Sequence, residues 1–405
     1  MRIDRNVLAA MRFELRYADR DAVHSDVLHA PRVNMWRDIF LDKLERELMG
    51  RQAGDIVQVR YKPGEIVGRR RDAKVLHLDR DQFRPLNAAG RDVALRLGRF
   101  YPKGALLRVR GVERDDITPF RCVGVDDAAF DADMNHPLAG LALELDVRIE
   151  EVAAKGAERG GRLTHWIEES MGAGAGMQRR FQDTATDFWD EDMFGRADAA
   201  DDALFHAAPR LVSHLDATAN ERLAALYGGL VPNGARVLDL MAGHESHLPD
   251  GLALASVDGL GMNAEELAAN PRLGRRVVHD LNTTPELPFD DAAFDAVVCS
   301  LSVEYLVNPD AVFASVGRVL RPGGLFVVAF SDRWFPGKSI RLWLDLHAFE
   351  RMGFVLDLMR RAGVFGGLHT WSERGLPRPV DDPHFPAMRL SDPLFAVWGA
   401  TSAAG

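Results

Sequence analysis

Polar and apolar residues follow one another along this chain in two rhythms. In roughly the first 155 residues the period is two. Leu143-Glu-Leu-Asp-Val-Arg-Ile149 alternates strictly and Ile56-Val-Gln-Val-Arg-Tyr61 partly, so each predicts a strand. Upstream, Ile39, Phe40, Leu44 and Leu48 sit at helical spacing between Met35 and Met49, and Gly50 follows as a stop. From about residue 205 the rhythm changes to short unbroken apolar runs. These predict strands over 236–240, 252–257, 275–279, 294–299 and 325–330, with a last one in Asp392–Trp398. Helices are expected between them, over 217–227 with Asp216 or Thr218 as cap, over 264–270 and over 310–320. Strands alternating with helices predict a parallel sheet covered on both faces, an α/β Rossmann-like domain. Such sheets bind ligands beyond the carboxyl ends of their strands.

Length and charge narrow the picture. A chain of 405 residues has room for two or three domains. The net charge of −10 argues against a partner held by phosphate neutralisation, so no nucleic acid is expected, and Arg69-Arg-Arg71 reads as a solvated loop. Two cysteines, Cys122 and Cys299, give neither a disulfide framework nor a Cys-based zinc site. The first residues lack an apolar signal core and no apolar run reaches spanning length, so the expectation is a cytoplasmic protein with no membrane partner. A Gly/Ala-rich break at 153–161 opens a connector over 156–204. Its glycine-rich run Gly172–Met177 is expected to be a mobile turn. Phe181, Phe188, Trp189 and Phe194 are expected to pack on a neighbouring domain.

The chemistry of the second half is carried by its turns. Asp239 ends the first strand, and Met241-Ala242-Gly243 lets backbone approach a ligand. Asp280 ends the third strand, where it can accept from an adenine amino group. Leu287-Pro-Phe-Asp-Asp-Ala-Ala-Phe-Asp-Ala-Val-Val298 and Arg318-Val-Leu-Arg-Pro-Gly-Gly324 flank the fourth strand. These two motifs resemble those of class I S-adenosylmethionine-dependent methyltransferases over about residues 205–400. The turn from Leu238-Asp-Leu-Met241 to Ser246-His-Leu-Pro249 is similar to a little-characterised subgroup of them. The resemblance implies S-adenosylmethionine as cofactor, held by Asp239, Met241, Ala242, Gly243, Gly261, Met262, Asn263, Asp280, Leu281 and Ser300. Gly261 falls where the family places its ribose-binding acid, with Asp258 or Asn263 as substitutes. Candidate catalytic residues are Glu304, Tyr305, His214 and Arg210, while Arg333, Trp334 and Lys338 are placed to shape an acceptor pocket. His244-Glu-Ser-His247 lacks the i, i+4 spacing of a helical zinc site, and no metal is expected.

The first half carries a second resemblance. Leu44-Glu-Arg-Glu-Leu-Met-Gly50, Ala53-Gly-Asp55 and Asn135-His-Pro-Leu-Ala-Gly140 resemble FKBP-type prolyl isomerases of the SlyD-like branch. This implies an α+β domain over 1–155 with an inserted β-rich subdomain at about 72–125. The family's acid after the first strand becomes His24, and its Ala-Tyr-Gly becomes Ile66-Val67-Gly68. His136 reads as a turn residue. The expected function is methyl transfer to an unidentified acceptor, small molecule or protein, with the first half recruiting substrate or acting as scaffold. The alternative is a folding or binding factor, or a prolyl isomerase, whose second half only senses a ligand.

Overall fold

In this computed structural model the structure describes residues 1–84, 93–157, 160–190 and 192–402. Residues 85–92 of the expected insert and residues 158, 159 and 191 of the expected connector lie outside them.

Two sheets account for the strands. The first half contributes β1 (Val7–Ala18), β2 (Ala22–Asn34), β3 (Ile56–Tyr61) and β8 (Leu143–Ala154) to a large sheet. Between β3 and β8 the chain leaves to build a small antiparallel sheet from β4 (Val75–Asp79), β5 (Phe100–Pro102), β6 (Pro119–Val125) and β7 (Ala129–Asp133), in the order β4-β7-β6-β5. This small sheet has its own core of Phe83, Phe120, Cys122 and Phe130. Among the described residues of the first half there is one α-helix, α1 (Asp42–Leu48). It is half the length that spacing predicted, because Trp36 to Asp38 fold into a turn held by Asn34 and Asp38. Gly50 ends it at φ 79°.

The second half supplies β9 (Arg236–Leu240), β10 (Ser256–Gly261), β11 (Arg275–Val278), β12 (Phe294–Ser300), β13 (Leu320–Ser331), β14 (Phe365–Arg374) and β15 (Leu394–Thr401). The strand expected over 252–257 sits four residues later, because Leu252 and Ala255 are bonded in a turn to Pro249 and Ala235. Helices α2 (Trp166–Gly172), α3 (Asp202–Phe205), α4 (Ala217–Leu230), α5 (Ala264–Ala269), α6 (Pro309–Val319), α7 (Arg341–Asp345) and α8 (Ala348–Ala362) complete the chain. Asp216 caps α4 by accepting from the Ala219 amide at 3.1 Å. Asn308 caps α6 ahead of Pro309 at its first turn.

The large sheet runs β11-β10-β9-β12-β13-β15-β14-β2-β1-β8-β3. Strands β11 to β13 are parallel, β15 is antiparallel, and the order reverses between β9 and β12. The two halves therefore meet as neighbouring strands. β14 pairs in parallel with β2, from Leu368 opposite Ala22 to Arg374 opposite Leu28. Polar side chains lock this seam. His24 Nδ1 lies 2.8 Å from Thr370 Oγ1, and Ser372 Oγ donates to Asp26 at 2.8 Å. Glu373 accepts from Arg222 through both oxygens and lies 2.8 Å from His29 Nε2. The glycine-rich run expected to be mobile is packed here instead. Ala175, Met177 and Gln178 are buried, and the Gly176 amide donates to the Tyr17 hydroxyl at 2.9 Å.

Glu373 is 2% exposed, so removing it strands the buried His29 imidazole and takes the partner of the half-buried Arg222 guanidinium. Glu373→Ala is expected to lower stability by about 1–3 kcal/mol, read by denaturant unfolding. A loss under about 0.5 kcal/mol would mean that the seam does not depend on this group.

Candidate functional site

A cavity of about 510 Å³ opens at the carboxyl ends of β9, β10 and β12, at the point where strand order reverses. Its floor is the turn after β9. Met241 stands where the family pattern has its first glycine, and it holds a left-handed φ of 59°. That conformation is unfavourable for a residue with a Cβ and is kept only where the surroundings impose it. Here the next residue is fixed: the Ala242 amide donates to the Leu260 carbonyl at 2.7 Å. Leu301, after β12, is likewise at φ 53° and also lines the cavity.

The same close approach explains Gly261. A Cβ at that position would collide with the Ala242 carbonyl oxygen. No side chain fits there, so the acid expected at the end of β10 has no room. Another acid lies nearby. Asn263 caps α5, its Oδ1 accepting from the Glu265 and Glu266 amides at 2.8 and 3.0 Å. This presents Glu266 to the cavity, with Oε2 3.4 Å from where a Gly243 Cβ would stand. Glu266 Oε1 accepts from the Arg210 amide at 2.7 Å.

Asp239 sits beneath the turn at 2% exposure and lines the cavity. Its Oδ2 has no hydrogen-bond partner among the described residues. Burial pushes its carboxyl up to about 7, against a smaller opposing effect of the Ser246 hydroxyl. Asp280, at the end of β11, accepts from the Thr283 hydroxyl at 2.7 Å and from the Asn282 amide at 2.8 Å. Ser300 Oγ lies 2.6 Å from the Tyr227 hydroxyl.

Of the expected cofactor residues, Asp239, Met241, Ala242, Gly243, Gly261, Met262, Asp280, Leu281 and Ser300 line the cavity. Asn263 does not: its side chain is taken up by capping α5 and by the His206 carbonyl at 2.7 Å. Of the candidate catalytic residues, Arg210, His214 and Tyr305 line it and Glu304 does not. Glu304 is 1% exposed on the far side of its turn, and burial pushes its carboxyl up to about 7. Tyr305 accepts from the Phe335 amide at 3.0 Å, and burial holds its phenol protonated well above the usual range. Burial and the neighbouring His244 lower His214, so its imidazole is neutral near pH 7. Arg333, Trp334 and Lys338 line the cavity, as their position after β13 suggested. Glu266, Phe205 and Phe335 line it without any motif to mark them. No group of His, Cys, Asp and Glu among the described residues could hold a metal.

The buried Asp239 gives a test of this electrostatic account. A carboxyl whose folded value is about 7, against its ordinary value of 3.8, keeps its proton longer when folded. Stability must then fall as pH rises through that interval and level off above it. Asp239→Asn, which cannot ionise, is expected to gain on the wild type by up to about 4 kcal/mol between pH 4 and 8 without ligand. A pH-independent difference would contradict a desolvated Asp239.

Comparison with known proteins bears on the same segment. Residues 245–328 match the family model described as a methyltransferase domain. The ubiquinone/menaquinone biosynthesis C-methyltransferase of Laribacter hongkongensis is 34% identical over 77 residues, 19% of this chain and 30% of that protein. Its counterpart in Burkholderia cenocepacia is 29% identical over 133 residues, 31% and 54% of the two. The chain thus spans between about a third and half of these relatives. A SAM-dependent methyltransferase of Aquifex aeolicus has 15% identity and a TM-score of 0.31, over 46% of this chain and 91% of that one. The segment 245–328 is thus similar to a methyltransferase domain, and S-adenosylmethionine is the cofactor that this similarity supports.

Proposed function

We propose that this chain transfers a methyl group from S-adenosylmethionine to an acceptor bound in the same cavity, and that its first half is a scaffold rather than a prolyl isomerase. The observation that carries the first part is Asp239. A buried carboxylate facing a cavity, with one oxygen unpartnered and only the Ser246 hydroxyl on the group, is costly unless a cation meets it. The cofactor carries two positive centres, its ammonium and its sulfonium, beside one carboxylate. Asp239 takes the ammonium, the turn 241–243 gives the close backbone approach, and Asp280 takes the adenine amino group. Glu266 replaces the acid that Gly261 cannot carry and holds the ribose hydroxyls.

When bound, the cofactor supplies a methyl group whose transfer forms a bond from the acceptor's lone pair and returns the carbon–sulfur pair to sulfur. The chain supplies alignment and exclusion of water. His214, neutral and lining the cavity, takes the acceptor's proton where there is one. Tyr305 positions Phe335 through its amide and does not itself titrate.

The first half supports the second part of the proposal through His24. It stands where the isomerase family has its acid, is 0% exposed, and is held between Thr370 of β14 and Asp19. Tyr17 stacks on it at 4.9 Å and is bonded to Asp26, Gly176 and Gln178. A prolyl peptide has no access to these groups, because the seam with the second half and the run 174–178 cover them.

Titration calorimetry tests the cofactor site. S-Adenosylmethionine is expected to bind once per chain, more tightly at pH 8 than at pH 6, since Asp239 must be ionised to meet the ammonium. Asp239→Ala and Glu266→Ala are each expected to weaken binding roughly 10–100-fold, as for loss of a hydrogen bond to a charged group. No binding by the wild type would overturn the proposal. For the first half, the whole chain is expected to leave cis–trans exchange in a proline tetrapeptide unchanged, and acceleration would contradict the scaffold role.

A further inference from the structure

The cavity has two walls of opposite charge. The wall made by the strand ends carries Asp239, Glu245, Glu266 and Asp280 and no lysine or arginine. The rest of the lining, from the segments before α4 and after β13, carries Arg196, Arg210, Arg333 and Lys338 with one acid, Asp202, and meets the acidic side where the Arg210 amide donates to Glu266. The ammonium and sulfonium of the cofactor belong to the first wall, while its single carboxylate and a carboxylate on the acceptor are both anions that the second wall could take. The second wall would repel a second cation and attract an anion.

Three of the four cations are already engaged. Arg196 and Lys338 both hold Asp202, at 2.7 and 3.2 Å. Arg333 lies 3.4 Å from Asp392 and 2.8 Å from His384. Arg210 differs: among the described residues no carboxylate is within ion-pair distance of its guanidinium, and its side chain donates only to the Phe205 carbonyl at 3.0 Å. The group is nonetheless fixed. It lies over the rings of Phe205 and Phe335 at 4.2 and 5.4 Å, and its main-chain amide is tied to Glu266. Those two rings meet edge to face at 5.4 Å, and His214 packs against Phe335 at 5.7 Å. A guanidinium pre-set over two aromatic rings, with its fork open, matches a planar anion in both charge and shape.

We propose that the methyl acceptor is a small aromatic molecule bearing a carboxylate, gripped by Arg210 beside the rings of Phe205 and Phe335. This rests on the cofactor reading above, with the acidic wall occupied first. Arg210 is a recognition residue for the acceptor and not for the cofactor.

The probes are 3,4-dihydroxybenzoate and dopamine, which share a catechol ring but carry opposite charges. Each is titrated into the full chain saturated with S-adenosylhomocysteine. The expected result is that the benzoate binds at least tenfold more tightly than dopamine. Arg210→Ala should weaken the benzoate at least tenfold, and Arg210→Lys should restore part of it. Affinity for S-adenosylhomocysteine should stay within twofold in both variants, because the bond to Glu266 is main chain; this also reports that they are folded. Equal binding of the two probes, preference for dopamine or no binding of the benzoate would overturn the inference while leaving the cofactor site intact. Loss of S-adenosylhomocysteine affinity in Arg210→Ala would overturn it too, by moving Arg210 to the cofactor. A wild type that does not bind S-adenosylhomocysteine would remove this inference together with the function it rests on.

Discussion

The parallel pairing of β14 with β2 is the constraint on which the rest of the molecule hangs. Without it β14 would end the α/β sheet with a row of unpaired backbone groups, an exposed edge. The first half covers that edge with β2 and continues the sheet through β1, β8 and β3. The seam is built with polar groups that are almost fully buried, His24, Asp26, Thr370, Ser372 and Glu373 among them. Each is satisfied across the seam, which fixes the register of two strands far apart in sequence. The small sheet reaches the second half as well, through the buried ion pair of Arg99 and Glu350 at 3.2 Å. The two halves are thus bound by backbone, by polar network and by an ion pair.

That arrangement explains what could be read from the chain and what could not. Strands β9, β12 and β13 are apolar on both faces, so their runs announce them. Strand β2 does not announce itself: His24, Ser25, Asp26, His29 and Asn34 interrupt its pattern, yet most are buried because their partners lie some 345 residues away. The run Gly172–Met177 has the composition of a loose turn, but it is packed because Gly174 and Gly176 leave room for His347 and Leu138. Composition carries no trace of that contact.

The candidate site divides in the same way. Asp239, the 241–243 turn and Asp280 are legible because they follow apolar strands at fixed offsets. Glu266 is not, since its place depends on the contact that bars a side chain at Gly261 and on the cap that Asn263 supplies. Phe205 and Phe335 come from segments without regular pattern, brought together over the cavity by Tyr305 and by packing around Arg210. An acid lost from its usual position and a second acid supplied from the next helix leave the same charge facing the cavity. On the proposed reading, the carboxylates take the positive centres of the cofactor and the free Arg210 guanidinium takes the acceptor.

The most direct measurement is a crystal structure of the chain with S-adenosylhomocysteine. The account predicts its amino group against Asp239 and its ribose hydroxyls against Glu266, with the Arg210 guanidinium free of the ligand. A ligand bound with its carboxylate on Arg210, or with its ribose away from Glu266, would contradict it.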